Sequence, residues 1–131
     1  MNNVSKTVAL WLLSICGIAC HSICDILPMF WGKDMAIVAT DGNMDQGMAF
    51  FMMTMAFLMP ACGILCLLIN EKAKSMKLIN FVLSVVMALL NIMHAFMEIP
   101  SENAGQYAIL PLMVVICCML TWQSYKVLKN K

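Results

Sequence analysis

HSICDILP, residues 21–28, is the stretch on which the reading of this chain turns. It lies in residues 7–31, an apolar run broken only by His21, Asp25 and small hydroxyl side chains. At about 1.5 Å per residue, a helix of that length crosses a hydrocarbon core of roughly 30 Å with some tilt. An imidazole and a carboxylate one helical turn apart are costly in such a run and ask for a reason. A second stretch, HAFMEIP at residues 94–100, repeats the pattern with His94 and Glu98.

The composition agrees with a membrane setting. The 131 residues are 63% hydrophobic and 11% charged, against about 25% charged in a soluble domain. Mean hydropathy is +0.87. The length suits a single domain, residues 1–131. All eight basic residues are lysines and net charge is +1, so the basic footprint of a nucleic-acid binder is missing. The seven cysteines lie inside apolar runs with no C-x-x-C pair, which is not a disulfide framework.

Four membrane helices are predicted, at residues 7–31, 47–70, 78–99 and 106–128, with an outer loop at 32–46. Lys6 before the first run also suits a signal peptide, but the run continues past Gly17 and Ala19 and the remaining chain is equally apolar. In the outer loop Asp41, Asn43 and Asp45 match the first ligands of a calcium loop. Gln46 and Met52 then stand where the turn glycine and the bidentate glutamate belong, so calcium is rejected. Pro60 is expected to kink the second helix and free the carbonyl of Ala56. Pro111 falls in the early turns of the fourth.

Charge sorts the two ends. Lys6, Lys72, Lys74, Lys77, Lys126, Lys129 and Lys131 fall on one side of such a bundle. Lys33 and the acids Asp34, Asp41, Asp45 and Glu102 fall on the other. The positive-inside rule places both termini in the cytoplasm. Trp11, Trp122 and Tyr125 are expected at the inner interface, and Trp31 and Tyr107 at the outer one. The fold class is therefore all-α: a polytopic integral membrane protein, a four-helix antiparallel bundle with N-in/C-in topology. Its expected location is a bacterial inner (plasma) membrane, with the lipid bilayer as partner and a homo-oligomer or larger membrane complex as a further assembly.

The first and third predicted helices run in the same direction. His21 and His94 fall at similar depth in the outer half of the bilayer, with Asp25 and Glu98 one turn further out. Asn80, Ser84, Asn91, His94 and Glu98 recur at helical spacing and form one polar stripe expected to face the interior. Ser14, Gly17, His21, Asp25 and Pro28 form its counterpart. If the two helices touch, His21, Asp25, His94 and Glu98 make one site, with Asn91 in support. The stretches at 21–28 and 94–100 hint at an internal repeat. So do two prolines each followed six residues later by cysteine, Pro60 with Cys66 and Pro111 with Cys117.

Several readings of that site stay open. Two imidazoles and two carboxylates suit a divalent metal such as zinc, which with an open position would activate water in a membrane enzyme acting on lipid at the outer leaflet. Desolvation also raises a carboxyl pKa and lowers an imidazole's, bringing the two group types towards each other, as a proton relay in a transporter-like or accessory membrane protein requires. In the plainest reading the two pairs only fix helix packing in a structural subunit of a membrane complex.

Sulfur adds one more option. Met44, Met48, Met52, Met55 and Met59 recur at helical spacing, and Met93 and Met97 flank the third helix's site. Thioethers favour Cu(I). The M-x-x-x-M spacing is similar to that of the pore-lining helix of trimeric copper-uptake channels, which implies copper. Those channels have three membrane helices, and four are predicted here. Methionine at helical spacing also serves as core filler. Cys16, Cys20 and Cys24 stack at steps of four, which suits small residues at a helix contact.

Overall fold

The computed structural model describes residues 1–32, 46–99 and 103–130. The outer loop with Lys33, Asp34, Asp41, Asn43, Met44 and Asp45 lies outside the described residues, as do Pro100, Glu102 and Lys131. Among the described residues the chain is all-helical. In order come α1 (Asn3–Ile26) with a 3-10 turn (Leu27–Trp31), α2 (Gln46–Met53), a π-helical turn (Thr54–Leu58), α3 (Met59–Asn70), α4 (Lys74–Glu98) and α5 (Gln106–Lys129).

Two asparagine side chains shape the starts of α1 and α4. α1 starts at Asn3, four residues before the predicted start, because the Asn2 side chain accepts the Ser5 N–H at 2.7 Å. This satisfies one of the free donors of the first turn. α4 likewise starts at Lys74 and takes in lysines expected in a loop. Asn70 makes this possible: its side-chain oxygen accepts from the N–H groups of Lys72 and Ala73, both at 3.1 Å, and closes the turn in three residues.

Prolines set the other departures. Pro28 has no N–H to continue the helix, so α1 ends at Ile26 and tightens into the 3-10 turn. Gly32 ends that turn at φ 74°, a conformation suited to glycine. The expected irregularity at Pro60 takes the form of a π-helical turn just before it, in which the Met59 N–H reaches back to the Thr54 carbonyl. A wider turn relieves the contact between the proline ring and the preceding carbonyls. Pro111 sits inside α5 without breaking it. The two prolines of the apparent repeat are thus housed differently.

α1 packs on α3 and α5, and α4 packs on the same two helices. The bundle is therefore four-sided, with α1 and α4 facing each other across its diagonal. Lys77 Nζ donates to the Asn130 carbonyl at 2.7 Å, and the Gln123 amide donates to Asn3 Oδ1 at 2.8 Å. These bonds bring the start of α1, the start of α4 and the end of α5 to one end. Lys6, Lys72, Lys74, Lys77, Lys126 and Lys129 collect there.

Trp11, Met87, Ala88, Cys117 and Leu120 form the core, with Leu10, Ile18, Met55, Met59, Ile64 and Leu83 against it. Trp11 corrects an expectation. It is fully buried rather than at an interface. Its ring lies so close to Gly63 that a Cβ there would be 2.5 Å from ring carbon Cε2. The absence of a side chain at 63 is what admits the indole.

The outer surface is apolar. Leu12, Ile23, Phe50, Leu68, Leu89 and Val115 are all at least half exposed, spread over α1, α2, α3, α4 and α5. Four helical rods, Asn3–Trp31, Phe50–Asn70, Lys74–Glu98 and Gln106–Lys129, are long and apolar enough to cross a membrane. Lipid or another apolar phase would cover such a surface.

Candidate functional site

The polar stripe of α4 faces inward. Asn80, Ser84 and Asn91 are buried, because the same helical face carries the core residue Met87. Most of these polar groups are satisfied locally. Ser84 donates to the Phe81 carbonyl, Asn91 to the Met87 carbonyl at 2.9 Å, and Asn80 across to the Gly63 carbonyl at 2.7 Å. Among the described residues Asn91 thus has no hydrogen bond to the candidate site.

One turn further along, His94 reaches across the diagonal. Its Nε2 lies 2.9 Å from Nε2 of His21, and the rings meet edge to face at 82°. α1 and α4 are not among the closely packed helix pairs, and at this level the two imidazoles span the gap between them. Asp25 Oδ2 is 3.4 Å from the same His21 nitrogen. Three of the four expected residues, His21, Asp25 and His94, therefore come together. Glu98 is half-buried one turn further along α4 and is not among the groups that meet there.

A residue missed by the sequence reading completes the cluster. Gln106, the first residue of α5, is fully buried. Its Oε1 is 2.8 Å from His21 Nδ1, and its Nε2 donates to Asp25 Oδ1 and, at 3.3 Å, to the His21 carbonyl. Asn103 supports it from the preceding turn. Its side-chain amide donates to the Cys24 carbonyl, the acceptor that an N–H at Pro28 would have used. Its oxygen accepts the Gly105 N–H at 2.9 Å. Pro28 thus frees a carbonyl that fastens α1 to the start of α5. The only signals for these two residues were an amide at the mouth of an apolar helix and a proline one turn beyond a cysteine.

With Asp25 ionised, the hydrogen-bond inventory assigns one consistent set of proton positions. An ionised Asp25 can only accept, so the Gln106 amide nitrogen faces it and the amide oxygen faces His21. His21 Nδ1 must then carry a proton. In a neutral His21, Nε2 is left as a lone pair, and His94 Nε2 must supply the hydrogen between the rings. One proton sits between the facing nitrogens; two would repel, and none would leave opposed lone pairs. If a proton arrives at His94 Nδ1, the Nε2 proton can pass to His21 Nε2. His94 then ends neutral, and His21 becomes an imidazolium facing Asp25.

Other candidates separate from the cluster. Met93 and Met97 are more than half exposed. Met55 and Met59 pack on the core and Met52 is exposed, so these thioethers fill space or face outward. The Met48 side chain lies outside what is described. All seven cysteines are free. Among the described residues no group of three His, Cys, Asp or Glu side chains is arranged to hold a metal ion. Comparison with protein-family models, with curated proteins and with solved structures gave no match.

Proposed function

We propose that this chain is an integral membrane protein in which His21, His94 and Asp25 bind and relay a proton near the outer face, in a transporter-like or accessory role. The observation that carries the reading is the 2.9 Å contact between Nε2 atoms across the bundle diagonal. Two imidazoles that share a nitrogen-to-nitrogen hydrogen bond pass a proton without moving a heavy atom far. Gln106 fixes the tautomer of one ring, and the Asp25 carboxylate favours the charge when it arrives there.

The apolar exterior and the four long apolar rods support the membrane setting. Lysines at the end that holds both termini support a cytoplasmic placement there, in a bacterial inner membrane. The cluster then lies towards the opposite face, where Asp25 is about half exposed. Trp11, Met87 and Leu120 fill the bundle between the cluster and the lysine end. Proton release on the cytoplasmic side therefore requires that core to part, and binding at the outer face does not.

Histidine titration in lipid nanodiscs tests this reading. Nitrogen NMR should show the two imidazoles titrating as one coupled system, with the curve of His21 changed in His94→Gln. Independent titration of each ring near the ordinary value of about 6.5, with His21 unaltered in the variant, overturns it.

A further inference from the structure

Two cavities meet at the lysine end, far from the His21–His94 cluster. One is an open polar cleft of about 240 Å³ lined by Asn2, Asn3, Glu71, Lys72, Lys77 and Asn130. The other is a groove of about 520 Å³ walled by Val8, Ala9 and Leu12 of α1 and Leu67 and Leu68 of α3. Asn2, Val4 and Glu71 line both, so the polar cleft is the mouth of the apolar groove.

Charge in the cleft selects an anion. Two lysines face a single carboxylate, and Lys77 is held in place by its 2.7 Å bond to the Asn130 carbonyl. That bond uses one of its three donors. The surrounding end adds Lys6, Lys74, Lys126 and Lys129. Depth is marked by Lys126, 5.2 Å over the Trp122 ring, and Lys129, 4.8 Å over the Tyr125 ring. Such side chains keep the ring at the apolar boundary and the ammonium in the polar layer. The cleft thus falls where headgroups lie, and the groove runs below it along the bundle's flank.

We infer that this composite site holds one anionic phospholipid, its phosphate at Lys72 and Lys77 and one acyl chain in the α1–α3 groove. The inference rests on the membrane reading and is independent of the proton site.

Native mass spectrometry of the full chain, released from detergent with defined lipids, tests it. Phosphatidylglycerol should stay bound where phosphatidylcholine is lost. Lys72→Gln should weaken phosphatidylglycerol binding about fivefold, the effect of one lysine at a lipid surface. Glu71→Gln should strengthen it, a gain that a misfolded variant would not show. Ala9→Phe, which fills the groove without touching the cleft, should weaken it, and glycerol 3-phosphate should fail to displace the lipid. Equal retention of both lipids, no response to Ala9→Phe, or displacement by glycerol 3-phosphate would each overturn the assignment. Incorporation of the wild type into phosphatidylcholine nanodiscs scores the membrane reading separately.

Discussion

Gln106 has the most specific role of any single residue. One buried amide orients the His21 imidazole and binds the Asp25 carboxylate at the same time. Gln106→Leu keeps a similar volume and leaves both partners without it. A buried polar group that loses its partner costs about 1–3 kcal/mol, so thermal unfolding in detergent should show a loss of that size. Nitrogen NMR of the variant should also show His21 no longer held as the Nδ1–H tautomer. A variant with unchanged stability and tautomer would mean that the amide does not fix the ring. His21, Asp25 and His94 were legible in the sequence because ionisable groups in an apolar run stand out by their cost. Gln106 was not, because an uncharged amide at the start of a helix is unremarkable until the fold closes over it.

At the scale of elements, close contact between α1 and α3 depends on Gly63 lying under Trp11. Gly63→Ala puts a methyl group 2.5 Å from the indole. Overpacking of this kind costs about 1–3 kcal/mol. A denaturation series should find that loss, and Trp11→Ala should cost about 3–5 kcal/mol by leaving a cavity. If Gly63→Ala were neutral, the indole would not be seated as described. The four helical rods were readable from length and hydropathy, since no other feature of this sequence has that period. Their ends were not. Asn2 caps α1 and Asn70 closes the short turn before α4 through individual side-chain hydrogen bonds, and such polar segments look like loops in a hydropathy trace. Trp11 was misplaced for a related reason: an aromatic near a predicted helix end is either a belt residue or a core residue. Only the glycine it meets, more than fifty positions away, decides which.

For the molecule as a whole, polarity is divided between the two ends. Lysines gather where both termini lie, and the histidine–carboxylate cluster sits at the other end. Reporter fusions at each terminus should therefore both report the cytoplasm. A periplasmic signal from either terminus would contradict the proposed topology. The ring order of the helices could not be read from the sequence. It leaves α1 and α4 on a diagonal, so the expected contact between them is made by long side chains. That geometry makes the facing imidazoles informative, since the two helices are not closely packed. The central claim is that a proton is held between His21 and His94, and nitrogen-to-nitrogen scalar coupling measures it directly. In histidine-labelled protein, a cross-peak should join Nε2 of His21 to Nε2 of His94 and vanish in Asp25-intact His94→Gln. No coupling at any pH, with both rings exchanging freely with water, would contradict the account.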